Sequence, residues 1–151
     1  MKIARSAPTD ALLLSTIAYR AKAHWGYPLP WLEQWRAQLT ITPEFLVGHQ
    51  TFVAELDRQV VGFYALTGDA DAMHLEHLWV LPEAMHRGIG TALFRHAAQN
   101  ARALGASCLR IESDPNAEPF YAHMGAVRVG VVASEIEGIR RELPMLELPL
   151  T

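Results

Sequence analysis

The sequence predicts one α+β (mixed α/β) domain over residues 1–151. Three observations point there. The chain has 151 residues, about the length of one domain. Half of them are hydrophobic, enough for a sizeable core. Apolar runs of strand type and of helix type follow one another along the chain. Charged residues make up 19%, against about 25% in an average soluble domain. That composition excludes a disordered tail or a coiled coil.

The elements follow in order. Lys2–Arg5 is a short first strand. Thr9 or Asp10 caps a first helix that runs to about Ala23, with Leu13, Ile17 and Ala21, and Leu14 and Ala18, at helical spacing. Gly26, Pro28 and Pro30 break the chain, and Pro30 suits the first turn of a second helix carrying Trp31 and Trp35. Thr42-Pro43 starts a short helical turn. Thr51–Leu56 and Gln59–Leu66 read as a hairpin around Asp57-Arg58, a poor turn pair by composition. Gly68–Asp71 is a turn, and Met73–Leu81 a strand stopped by Pro82. Gly88-Ile89-Gly90 opens a helix whose apolar face is Leu93, Phe94, Ala97, Ala101 and Leu104, closed by Gly105. Cys108–Glu112 is the next strand. Asp114-Pro115-Asn116 is a turn before a short helix over Glu118–Met124, closed by Gly125. Val127–Ala133 and Met145–Leu150 are the last strands, joined by a loop containing Gly138, Arg140 and Arg141. The order is β-α-α-β-β-β-α-β-α-β-β.

Composition narrows the function classes. Thirteen basic and sixteen acidic residues give a formal charge of −3, without the basic balance of a nucleic-acid binder. No apolar run approaches the roughly 20 residues that span a bilayer. Lys2, Arg5 and the stretch Ala11–Tyr19 imitate a secretory peptide. However, Pro8 and Asp10 split its basic from its apolar part, and Ser15 and Thr16 interrupt the latter. The expectation is a cytoplasmic protein without a membrane partner. The lone Cys108 excludes a disulfide framework and any multi-cysteine zinc site.

The segment Arg87-Gly88-Ile89-Gly90-Thr91 carries the chemistry. Glycines let backbone approach a ligand. The first N–H groups of a helix lack internal partners, and its dipole adds about half a positive charge. Together they make a local anion site on an acidic protein. A P-loop needs Lys-Ser/Thr after its last glycine; Thr91-Ala92 stands there. A dinucleotide fold wants a third glycine where Leu93 stands, although Glu112 lies where its acidic residue belongs. A purely structural turn is the bland alternative.

Leu75-Glu76-His77-Leu78-Trp79-Val80-Leu81-Pro82 followed by His86-Arg87-Gly88-Ile89-Gly90-Thr91-Ala92-Leu93 resembles the acetyl-CoA-binding segment of the Gcn5-related N-acetyltransferase (GNAT) family. Asn116-Ala117-Glu118-Pro119-Phe120-Tyr121-Ala122-His123-Met124-Gly125-Ala126 resembles that family's later helix. The element order matches across essentially the whole chain. The resemblance implies a central mixed, mostly antiparallel sheet of about seven strands flanked by about four helices. It also implies acetyl-CoA as acyl donor, without a metal. Gly88, Gly90 and Arg87, with the amides of His86, Ile89 and Thr91, would cradle the pyrophosphate. Leu78, Trp79 and Val80 would pair with the pantetheine arm as an added strand does, and Asn116 would touch the cofactor. Met85 departs from the family, which often has Gln or Arg there.

Acetyl transfer to an amine needs three devices. An ammonium of pKa about 10.4 is neutral in about one molecule in a thousand near pH 7.4, a deficit of about 4 kcal/mol, so a base must help. An N–H must face the thioester oxygen as it gains charge. The departing thiolate needs a proton. A tyrosine of pKa about 10 facing a thiol of about 8.5 donates uphill by about 2 kcal/mol. Tyr121, at the family's tyrosine position, is the candidate acid, with helix packing as its alternative. Glu76 is the candidate base, directly or through water. His74 is the reserve, because alternation places His74, Glu76 and Leu78 on one side and His77 and Trp79 on the other. That split argues against a metal at His74, Glu76 and His77, and His77 reads as a satisfied sheet histidine. Cys108 reads as a small core residue.

The resemblance places the acceptor over the first two helices and the last hairpin. Trp25, Tyr27 and Trp31 are candidates for lining that pocket, Trp35 for packing. Arg140 and Arg141 are either a carboxylate clamp or solvated. The expected reaction is direct attack in a ternary complex by a small-molecule amine. The alternatives are a protein N-terminal or lysine acceptor, a non-catalytic acyl-CoA-binding module of the same fold, and a nucleotide-binding oxidoreductase. The last two strands offer a surface for a homodimer.

Overall fold

The computed structural model describes residues 1–150. Seven strands form one sheet: β1 (Lys2–Arg5), β2 (Gln50–Leu56), β3 (Gln59–Asp69), β4 (Ala72–Val80), β5 (Cys108–Glu112), β6 (Val127–Ile136) and β7 (Ile139–Pro149). Their spatial order is β1-β2-β3-β4-β5-β7-β6. Every neighbouring pair is antiparallel except β4 and β5. This is the expected mostly antiparallel sheet. Five helices flank it: α1 (Ala11–Ala23), α2 (Leu29–Leu39), α3 (Pro43–Gly48), α4 (Ile89–Ala103) and α5 (Glu118–His123). The fifth is the short turn at Thr42-Pro43, whose Thr42 hydroxyl caps the N–H of Phe45.

The sheet divides two cores. On one face α4 and α5 bury Leu93, Phe94, Ala97, Ala101 and Tyr121 against Tyr64, Leu75, Leu109 and Ile111. On the other, α1 to α3 bury Leu14, Ile17, Ala18, Leu32, Trp35 and Leu46 against Val53 and Phe63. The buried stripe of α1 is Ala11, Leu14, Ile17, Ala18 and Ala21, so that segment belongs to the fold. Leu13 is the exception to its predicted face and points outward, because it sits beside that stripe. Asp10 precedes α1 but turns its carboxylate backward to accept from the Ala7 N–H (2.8 Å). Among the described residues no helix is long and apolar enough to cross a membrane.

Two further sequence expectations change. The segment containing Gly138, Arg140 and Arg141 is a tight hairpin between long strands, not a loop. Glu137 and Gly138 both have positive φ (48° and 75°), as a two-residue type I′ turn requires. Arg140 lies opposite Glu135 and Arg141 opposite Ser134. Much of β6 faces water on both sides, so its polar residues hide the alternation of a strand. The second change is in β4. Ala65 pairs with His77 but Leu66 pairs with Leu75, leaving Glu76 as an extra residue. This bulge breaks the alternation across the candidate base.

Candidate functional site

β4 and β5 pair only through Met73 with Leu109 and His74 with Arg110. Beyond those two rungs the strands part. The remaining edge of β4, from Leu75 to Val80, faces a cleft of about 410 Å³. Its far wall is Glu112, Ser113, Asp114 and α5, and its end is the turn before α4. A second cleft, about 420 Å³, lies on the α2 side between β4 and the β6–β7 hairpin. Leu75, Glu76, Trp79 and Glu112 line both.

The turn into α4 is built from unusual backbone. Gly88 has φ 80° and precedes the first helical residue, Ile89. His86 also has positive φ (62°) without being glycine, a local strain. The helix's first internal bond runs from the Ala92 N–H to the Gly88 carbonyl. The N–H groups of Ile89, Gly90 and Thr91 are therefore left for another partner. A Cβ built on Gly90 would lie 3.7 Å from Phe120, so a methyl fits the fold while narrowing the cleft wall.

The predicted residues distribute unevenly. Leu78, Trp79, Val80, His86, Gly88, Gly90, Thr91 and Asn116 line the first cleft, as do Glu76, Tyr121 and Trp25. Met85 lines it too, as an apolar wall. Arg87 does not, and the Ile89 side chain is buried in the core. His74 lies in the second cleft. Tyr27 and Trp31 line neither cleft. They pack on each other (5.8 Å between ring centroids) and edge-on to Trp35.

Tyr121 is buried, with Phe94 and Phe120 around its ring. Burial raises its hydroxyl well above the usual tyrosine range, and the Asp114 charge adds to this. The group stays protonated at any working pH. Glu76 is exposed, and its carboxylate accepts from the Thr67 hydroxyl (3.2 Å).

The bulge corrects the placement of the histidines. His74 and His77 both line the second cleft, whereas strict alternation separates them. Among the described residues no group of three or more His, Cys, Asp or Glu side chains is arranged to hold a metal ion. Trp79 Nε1 donates to His77 Nδ1 (3.0 Å), so the neutral ring carries its proton on Nε2 and has no free lone pair. Burial pushes its pKa from 6.5 down to about 4, against the opposing charge of Glu76. The unfolded chain therefore takes up this proton first as the pH falls. Stability contributed by neutral His77 is full above about pH 6.5 and drains away down to about pH 4, by about 3 kcal/mol in all. Urea midpoints at pH 7.5 and 5 should show the loss, and His77→Gln should shrink it. An equal slope in that variant would place the acid sensitivity elsewhere.

A polar hub that no local pattern announced stands beside the clefts. Lys22 Nζ donates to Asp114 Oδ2 at 2.6 Å, with side chains 13% and 7% exposed. The Tyr27 hydroxyl also donates to Asp114 (2.8 Å). Asp114 accepts further from the backbone N–H of Asn116 (2.8 Å) and from its side chain (3.0 Å). Arg141 Nη2 donates to the Tyr27 oxygen (2.8 Å). Burial lowers the Lys22 pKa, and the Asp114 bond only partly restores it. Burial pushes the Asp114 carboxyl up, but its bonds to Lys22, Asn116 and Tyr27 outweigh that and hold it below the usual range. Burial and Asp114 push Tyr27 up to about 12. The side-chain N–H groups of Asn116 are engaged in this hub, with Tyr27 (3.1 Å) and Asp114 (3.0 Å).

Comparison with known proteins places this geometry. A family model described as an acetyltransferase (GNAT) domain matches residues 47–125. The chain is 32% identical over 116 residues to the peptidyl-lysine N-acetyltransferase YjaB of Salmonella typhimurium, covering 76% of this chain and 74% of that one. A GCN5-related N-acetyltransferase structure from Rhodopseudomonas palustris superposes with a TM-score of 0.84 at 25% identity, covering 99% of this chain and 95% of that one. The structure of YncA from Salmonella typhimurium, which carries acetyl-CoA, superposes with a TM-score of 0.73 at 20% identity, covering 100% and 94%.

Proposed function

The chain belongs to the GNAT acetyltransferase family, and we propose that it moves an acetyl group from acetyl-CoA to a small-molecule amine by direct attack in a ternary complex. The observation that carries this reading is the pair of clefts that meet at Glu76 and Glu112. A donor in the first cleft and an acceptor in the second would touch there.

The first cleft fits the donor by its own residues. The unpartnered N–H groups of Ile89, Gly90 and Thr91, with the turn at His86–Gly88, suit a pyrophosphate. The open edge of β4 at Leu78–Val80 suits the amides of a pantetheine arm. Met85 offers no polar contact, so the anion is held by backbone. Acetyl-CoA, when bound, supplies the thioester. Glu76 receives the acceptor's proton, directly or through a water, and His74 stands in the same acceptor cleft as an alternative. Tyr121 donates to the sulfur as it leaves. Its raised pKa makes full proton transfer costlier than for an ordinary tyrosine, so the hydrogen bond to the developing thiolate comes first.

A peptide lysine is the second reading, favoured by the relative that is named for that acceptor. Thiol release with free amines against a lysine peptide separates the two. Comparable or faster release with the peptide would overturn the small-molecule acceptor.

The donor site is tested by thermal unfolding with millimolar acetyl-CoA and an NADH control. A ligand at about 100 times its dissociation constant adds about 2.7 kcal/mol, several degrees for a domain of this size. Gly90→Ala should melt no lower than the parent, since the methyl meets only ordinary contacts. It should nevertheless bind acetyl-CoA tenfold or more weakly. A full shift in that variant would move the anion site away from this turn.

A further inference from the structure

We propose that the acceptor carries a carboxylate as well as its amine, and that Arg141 is the residue that binds it. The inference rests on the small-molecule acceptor proposed above.

The charges of the second cleft are unequally partnered. Lys22 lines it but is matched by Asp114 at 2.6 Å. Arg141 also lines it, and no carboxylate lies within ion-pair distance of its guanidinium among the described residues. Its one hydrogen bond goes to a neutral phenol, Tyr27. A guanidinium has five N–H donors in a planar fork suited to a carboxylate, and four of them remain.

This arginine is also held in place. Its guanidinium carbon stands 5.1 Å from the ring centroids of both Tyr27 and Trp35, and 5.8 Å from Trp31. Such packing fixes the group before a ligand arrives. The neighbouring Arg140 shows the contrast: its side chain is 76% exposed and lies 3.8 Å from Glu142. Tyr27 and Trp31, expected to touch the acceptor, thus act on it through Arg141.

The same cleft also carries carboxylates: Glu135 lines it, as do Glu76 and Glu112. Glu76 and Glu112 stand where the two clefts meet, and neither is in an ion pair among the described residues. An ammonium there and a carboxylate at Arg141 describe an amino acid. The amine then lies at the junction with the donor cleft, and the carboxylate sets its orientation.

The experiment is thiol release from acetyl-CoA with a panel of amino acids, their carboxamides and simple diamines. The amino acids should exceed their carboxamides tenfold or more in kcat/KM. In Arg141→Gln that ratio should fall tenfold or more, with Arg141→Lys in between. A merely structural role for Arg141 would lower both kinds of acceptor and leave the ratio alone. Carboxamides or diamines equalling the amino acids, or a ratio that Arg141→Gln does not move, would overturn the carboxylate site while leaving the acetyltransferase intact. No thiol release with any amine, despite a thermal shift with acetyl-CoA, would overturn both.

Discussion

Asp114→Ala is expected to lower the unfolding free energy by about 3–5 kcal/mol, the cost of stranding one half of a buried ion pair. Few single changes in a domain stable by about 5–15 kcal/mol would do more. The carboxylate neutralises Lys22, accepts the Tyr27 hydroxyl and ties down Asn116. Its removal leaves an ammonium over the Trp35 ring (4.3 Å) without a counter-charge. Urea unfolding measures the loss. The double variant Lys22→Met, Asp114→Leu should recover part of it, because two apolar side chains leave no stranded charge. A cost below about 1 kcal/mol for the single change would match an exposed pair instead.

Tyr121→Phe is expected to lower turnover tenfold or more, at least about 1.4 kcal/mol of barrier, with acetyl-CoA affinity nearly unchanged. The ring packs between Phe94 and Phe120 and remains in the variant. No hydrogen bond to the hydroxyl occurs among the described residues, so its loss should not disturb the fold. Single-turnover rates with saturating acceptor read the effect on chemistry. An unaltered rate would remove Tyr121 from the mechanism and leave it as core packing.

What the sequence displayed was what is local. The glycines around Ile89, the apolar face of α4 and the stop at Pro82 are decided within a few residues. The strand, turn and helix they make lie where expected, except that Leu104, expected on the apolar face of α4, follows the helix and is exposed. Alternation along β4 failed at Glu76 because a bulge depends on how β3 pairs with it, not on β4 alone. Arg140 and Arg141 looked like loop residues because β6 is exposed along most of its length and β7 begins exposed, so no apolar alternation marks them as strand; only Ile136 at the turn is buried. Lys22 and Asp114 stand 92 positions apart. One reads as a helix-end cation and the other as a turn residue, and only the closed fold joins them. The family resemblance picked out most of the residues that line the cleft along β4. Nothing in it indicated that Tyr27 and Trp31 would support an arginine rather than line a pocket.

The parting of β4 from β5 leaves hydrogen-bonding backbone exposed in the middle of a sheet rather than at its rim. An open rim invites another protein's strand and, with it, aggregation. Here the gap is flanked by Ala21 of α1 and by Trp25 beyond it on one side and by α5 on the other, walls that a strand bringing its own sheet would meet. A single thin, amide-bearing chain can enter. The walls therefore select by width before any side chain is consulted: they leave room for a slender chain and stand in the way of a neighbouring sheet's strand.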